Sequence, residues 1–256
     1  MGAVLRLLED VGYACARFHS EMIREIPAKR VQCDEVWCYC YCKDKNRPEG
    51  MEDKLGVGSQ WTYIGLDSDT KLVISYFIGD RSSDHAYQFM VDLSGRISGR
   101  PQVTTDGFPG YSATVPRAFD GNVDFAQLVK LYAADREADA RYSPPICIGA
   151  DLRPVHGNPA VEAISTSHVE RQNLTMRMQM RRFTRLTNGF SKKITNLRYA
   201  VALHMVFYNF CRPHRSLQSQ TPAMVAGLAG RKLTLEDVAQ LPSWVADRDW
   251  GNRLAS

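Results

Sequence analysis

The sequence predicts an α/β fold: a mixed sheet flanked by helices, with extra helices at both ends. Three observations predict it. Segments rich in β-branched and aromatic residues alternate with helix-period segments through the first half. From about Thr166 onward the pattern is helical almost throughout. The 256 residues are 44% apolar and 23% charged, ordinary for a globular chain with a sizeable core. No apolar run approaches the roughly 18 residues of a membrane span. The N-terminus lacks the apolar stretch of a signal peptide, so a cytoplasmic protein is expected. Seven cysteines, an odd count, fit reduced thiols better than a disulfide framework.

The elements follow in order. Gly2 to Met22 has the apolar spacing of an amphipathic helix, which Pro27 ends. Val31 to Tyr41 is apolar on both faces, as in a buried strand. Within it Cys38, Cys40 and Cys42 alternate, a spacing unlike that of zinc ligands, and they read better as small buried hydrophobes. Lys43 to Gly58 is a polar loop. Trp61–Leu66 and Leu72–Ile78 flank Asp67-Ser68-Asp69-Thr70, which reads as a hairpin turn. A helix over Asp84–Ile97, a short strand over Gln102–Thr105, a helix over Tyr111–Ala118 and a strand over Val123–Leu131 come next. Ala133–Pro159 reads as irregular. The longest helical signal covers Thr166–Leu186, and a second, hydrophobic almost all round, covers Ile194–Phe210. Two short helices, Thr221–Leu228 and Thr234–Gln240, precede a tail over Ser243–Ser256.

Charge is unevenly placed. From Arg171 to Leu235 there is no Asp or Glu in 65 residues, and that stretch carries +12, leaving −8 for the rest of a chain whose net charge is +4. An acidic part that holds metal or structure and a basic part that faces a polyanion would produce this asymmetry. At about 100° per residue, Arg177, Arg181 and Arg185 fall within about 60° of Glu170, with Arg171 and Arg182 beside them, so one helix face is expected to carry five arginines.

Three carboxylates stand out. Asp34 interrupts an apolar strand, where an unpaired charge is costly. Asp106 follows a strand end, a place where α/β sheets carry functional groups, although Asp-Gly is also a plain turn. Glu170 opens the long helix, where Ser167-x-x-Glu170 also fits a capping box. Glu35, one residue from Asp34, is expected on the opposite strand face and is left out of the site. His168 and Glu170 diverge on the helix, so no joint site is expected, and His204 reads as a core histidine.

Asp34-Glu35-Val36-Trp37, Thr105-Asp106-Gly107-Phe108-x-x-Tyr111 and Ser165-Thr166-Ser167-His168-Val169-Glu170-Arg171-x-Asn173, in that order, resemble bacterial insertion-sequence transposases of the DDE type. These share the RNase H-like fold of retroviral integrases, and the likeness is nearest to the group named for the first numbered insertion sequence. Tyr208-Asn209-x-x-Arg212-Pro213-His214-x-x-Leu217, followed by Thr221-Pro222-Ala223, resembles the usual end of such domains. The likeness covers roughly residues 31–228.

The resemblance implies Mg²⁺-dependent DNA cleavage and strand transfer, with Asp34, Asp106 and Glu170 holding two Mg²⁺ ions, Mn²⁺ being a substitute. It implies DNA as partner, both element ends and target, a homo-oligomer assembled on DNA, and a place in the bacterial cytosol at the nucleoid. DNA contacts are expected from Arg171, Asn173, Arg177, Arg181, Arg182, Arg185, Lys192, Lys193, Arg212 and His214. Residues 1–30 would be the remnant of a helix-turn-helix region, 31–228 the catalytic domain and 229–256 a tail. Such enzymes usually begin with a complete DNA-binding module, so a truncated front is expected. Two alternatives stay open at this stage: a plain nuclease on the same fold, and a non-catalytic DNA-binding remnant that acts as an inhibitor.

Overall fold

The computed structural model describes residues 2–52, 54–132, 147–184 and 188–247. Six strands form one mixed sheet: β1 (Arg30–Cys40), β2 (Gly58–Asp67), β3 (Val73–Gly79), β4 (Gln102–Thr105), β5 (Asp124–Tyr132) and β6 (Cys147–His156). Their spatial order is β3-β2-β1-β4-β5-β6. β1, β2 and β3 pair antiparallel, β4 and β5 run parallel to β1, and β6 closes the far edge antiparallel. Helices α1 (Gly2–Met22), α2 (Ser83–Ser94), α3 (Gly110–Ala118), α4 (Ser167–Gln179), α5 (Ile194–Val206), α6 (Pro222–Val225) and α7 (Leu235–Asp247) complete the chain. This is the mixed α/β sheet flanked by helices that the sequence predicts. Among the described residues no helix is long and apolar enough to cross a membrane.

The sheet has a core on each face. Val31, Cys33 and Tyr63 pack with Phe18, Phe89, Tyr111 and Phe210 on one side. Val36, Cys38, Ile64 and Leu66 pack with Val169, Met176 and Phe183 on the other. β1 thus alternates between two buried faces, which is why its sequence looks apolar on both. Residues of α1 and α7, including Val11, Phe18, Val238 and Trp244, belong to the first core together with the strands.

Three expectations need correction. Residues 133–159 are not all irregular: residues 133–146 lie outside the described residues, but Cys147–His156 is a strand on β5. Its residues are nearly all exposed, so it lacks the half-buried alternation that marks a strand. Pro154 is tolerated because β6 is an edge. The long helix does not run to Leu186. It ends at Gln179, Met180 is extended, and Arg181–Phe183 form one 3₁₀ turn that buries Phe183 against the sheet. Packing of that phenylalanine overrides helix propensity. The segment expected as a tail from Ser243 begins inside α7, which extends to Asp247.

α5 ends in a π-helical turn, Phe207–Cys211. The turn points Asn209 at the exposed edge of β3. There its side chain takes a hydrogen bond from Val73 N (2.9 Å) and gives one to Val73 O (2.9 Å). The amide does the work of a further strand, and Asn209 is fully buried. Asn209→Ala should lower unfolding free energy by about 1–3 kcal/mol in urea titration, since it orphans a buried N–H. Asn209→Asp should destabilise as well, because a carboxylate cannot donate to Val73 O. Wild-type stability in both variants would remove Asn209 from this role.

Candidate active site

The parallel ladder between β1 and β4 ends at the pair Cys33–Thr105. The next residue on each strand is an aspartate, Asp34 and Asp106. Beyond that point β4 no longer covers β1, so both faces of β1 open toward Asp106. Glu35 uses this opening. Its carboxylate, reaching round from the α3 side, lies with those of Asp34 and Asp106 in one cluster whose oxygens are within 4.8 Å of one another. Leaving Glu35 out is therefore corrected. Its face was read rightly, but at a strand end the face does not separate it from its neighbours. The signal was two adjacent acids in an otherwise apolar strand.

Arg81, just before α2, holds the cluster together. Its Nε donates to Glu35 (3.1 Å) and its Nη2 to Asp106 (2.9 Å). The guanidinium lies between the rings of Trp61 and Phe108, 5.0 and 4.5 Å from their centroids. Tyr111 of α3 donates its hydroxyl to Glu35. Phe108 N donates to Asp106 Oδ1 (3.0 Å), and Gln127 Nε2 ties down the Asp106 and Phe108 carbonyls. Arg81 sits in a loop with no motif, so nothing in the sequence marked it.

Helix α4 supplies the other wall. Asn173 donates to Asp34 Oδ2 (2.8 Å), which orients that carboxylate. Glu170 accepts from Lys130 Nζ (2.5 Å) and from Thr166 Oγ1 (2.5 Å). The capping box is not made: the N-cap position falls one residue earlier, at Thr166, whose side chain bonds Glu170 and caps no backbone N–H. Asp34, Asp106 and Glu170 line one cleft of about 680 Å³ with Arg81, Phe108, Lys130 and Arg177. Lys130, from β5, is a second group the sequence did not single out.

Burial and the neighbouring Asp106 carboxylate push Asp34 up to about 6, against hydrogen bonds from Glu35 N and Asn173; Glu170 adds a smaller push upward. Burial and Asp106 push Glu35 up to about 8, against Tyr111 and Arg81. Asp34 and Glu35 resist ionisation, and Asp106 and Glu170 add two more carboxylates to the same small volume. All-oxygen ligands of this kind suit a hard divalent cation such as Mg²⁺.

The basic face expected on the long helix is not one face. Arg177 lines the carboxylate cleft. Arg171 lies across α4 in a second pocket, with Arg212 and His214. Arg181 is exposed beyond the helix end, and Arg182 turns inward to donate to Ser191 Oγ (2.5 Å). Arg185 lies outside the described residues. Lys192 and Lys193 are exposed just before α5. His168 faces away from Glu170 and meets Lys71 Nζ at 2.9 Å, and His204 is buried beside Gln172 Nε2 (3.3 Å).

No family model matches the sequence, and no curated protein does. Solved structures overlap with it loosely. The catalytic core domain of BIV integrase superposes at TM-score 0.43 and 10% identity, over 78% of this chain and 93% of that one. A chain of the simian T-cell lymphotropic virus intasome, solved in complex with PP2A regulatory subunit B56 gamma, does so at 0.44 and 14%, over 80% of this chain and 56% of that one. Mos1 transposase in a paired-end complex with the left transposon end gives 0.26 and 15%, over 47% of this chain and 41% of that one. Overlaps this loose carry no functional argument; the chemistry of the cleft has to.

A raised carboxyl pKa has a definite sign. The unfolded chain gives up the proton first, so stability is lost as pH rises from the unfolded toward the folded pKa. Metal-free protein should therefore lose thermal stability from about pH 4 through about 6, as Asp34 ionises, and further toward about 8, as Glu35 does. Asp34→Asn should flatten the first part of that slope, and Arg81→Met should steepen the whole of it. Strong destabilisation by Asp34→Asn at acid pH would instead mark Asp34 as a structural acceptor.

Proposed function

We propose that the cleft is the phosphoryl-transfer centre of an RNase H-like DDE transposase, cutting and joining DNA strands for a bacterial insertion sequence. The observation that carries the reading is the convergence of Asp34, Asp106 and Glu170, separated by 72 and 64 residues in sequence, on one cleft among cationic side chains. Asp34, Asp106 and Glu170 are assigned as the metal-holding carboxylates, with Glu35 beside the first two. Bound divalent cations supply Lewis-acid stabilisation of the attacking and leaving oxygens in such chemistry.

The chain's own residues do the remainder. Asn173 keeps one Asp34 oxygen turned toward helix α4, leaving the other for the cleft. Arg81 holds Asp106 in place through one nitrogen and Glu35 through another, so the carboxylates stay together before any cation arrives. Lys130 is paired with Glu170 and has to give up that bond, or share it, when Glu170 turns to a cation. Arg177, in the same wall, is placed to contact the DNA next to the scissile bond. DNA ends and target enter as partners on this reading, with more than one copy of the chain on them.

The deciding experiment supplies purified protein, Mg²⁺ and a DNA end bearing a free 3′-hydroxyl, and looks for joined plasmid. Joined product is expected. Cutting without joining would favour a plain nuclease, and DNA binding with neither would favour a non-catalytic remnant. Asp34→Asn, Asp106→Asn and Glu170→Gln should each reduce product to background while folding normally. Arg177→Ala should lower the chemical rate by about tenfold or more, with a smaller change in DNA affinity.

A further inference from the structure

Helix α4 separates two pockets: one mixes carboxylates with cations, and the other is lined by cations without an acid. Glu170, Asn173, Leu174 and Arg177 face the carboxylate cleft. His168, Arg171, Gln172 and Thr175 face a pocket of about 370 Å³ on the other side, closed by Lys71 and by residues 212–216. We infer that this second pocket is a phosphate-binding site, and that it holds a DNA backbone phosphate other than the one at the carboxylates. The phosphate assignment stands on the pocket itself; the assignment to DNA rests on the function proposed above.

Its walls carry Lys71, Arg171, Arg212 and Arg215 and no Asp or Glu. The acids nearest Lys71 are already engaged. Asp67 accepts from Thr70 Oγ1 (2.6 Å) and Thr70 N (3.1 Å) in the hairpin turn, and Asp69 pairs with Arg30. Arg212 Nη1 is a buried donor without a hydrogen-bond partner among the described residues, and His214 Nε2 has none either, although the His214 ring bonds the Tyr208 backbone. A buried guanidinium donor is rare unless something satisfies it, and a phosphate offers the acceptor oxygen it lacks.

The pocket is also held rigidly. Tyr208 packs edge-on against His214, with ring centroids 4.7 Å apart. His214 N donates to Gln220 O (2.9 Å), and its carbonyl accepts from Leu217 N and Ser219 N (both 3.0 Å). Lys71, Gln218 and Ser219 all adopt left-handed backbone angles, φ +62°, +53° and +63°. Left-handed backbone is unfavourable for such residues, and surrounding contacts have to hold it in place. Burial, and then Arg212, hold His214 below the ordinary histidine value, against a hydrogen bond with the Tyr208 backbone. A helix and its side chains are about 10–12 Å across. A phosphate here is thus well removed from the reacting one.

Two measurements on the full chain test this. In the first, inorganic phosphate is titrated while the His214 imidazole and Arg212 guanidinium signals are followed by ¹⁵N NMR. Saturable shifts are expected in wild type and should be lost in Arg171→Gln/Arg215→Gln, whose sites are exposed and whose fold should persist. In the second, duplex DNA affinity is measured against salt. The double variant should flatten the log–log slope by about 0.9, the value for one phosphate contact. No shift with phosphate and an unchanged slope would overturn the inference. Shifts with phosphate and an unchanged slope would overturn the DNA assignment and leave a site for a free phosphate ester. A flattened slope in a protein that never cuts or joins DNA would sink the proposed activity while leaving this site standing.

Discussion

The structure turns on one electrostatic problem, the crowding of Asp34, Glu35 and Asp106 at the end of a parallel strand pair. Charges that close repel unless a cation sits among them. Arg81 provides one, bonded to two of the three and sandwiched by Trp61 and Phe108. Several elements exist in their present places because of it. The hairpin brings Arg81 to the cluster as the chain leaves β3. Helix α3 brings the Tyr111 hydroxyl, and helix α4 brings Asn173. The pairing of Cys33 with Thr105 sets which residues meet. A slip of one residue on β1 would turn Asp34 to the other face and put Glu35 in its place.

Where a residue sat at a boundary of periodicity, its place in the fold was legible in the sequence. Asp34 breaks an apolar run, Asp106 ends a short strand and Glu170 opens a helix, and each boundary survives folding. What could not be read was set by tertiary contact. Glu35 joins the cluster only because β4 stops at Thr105. Arg81 and Lys130 lie in segments whose patterns say nothing about what they face. Strand β6 was missed because an exposed edge does not alternate. The end of α4 was overrun because burial of Phe183, not a glycine or proline, stops it. The Tyr208-Asn209 pair showed its likeness to a family motif, but the π-helical turn that aims Asn209 at β3 leaves no mark in hydrophobic pattern.

The basic half of the chain shows the same limit from another side. A charge of +12 over 65 residues suggested a single positive face. Folding disperses it. Arg177 goes to the carboxylates, Arg171, Arg212 and Arg215 surround the second pocket, and Arg182 turns toward Ser191. Arg231 is neutralised by Asp237. The charge of a stretch therefore does not say which surface its side chains share.

This dispersal gives helix α4 a particular role. Its buried edge, Val169 and Met176, fixes it on the sheet. Its two remaining arcs then meet different surroundings, one mixing carboxylates with cations and the other rich in guanidinium groups. A nucleic acid lying on the carboxylates alone would be repelled until cations arrived. One whose neighbouring phosphate is held across the helix would be in place beforehand, and contacts to phosphates fix register without reading sequence. On the proposed function, the acidic cluster would need divalent cations for chemistry but not for docking, and the width of a single helix would separate two tasks that compete for the same charge.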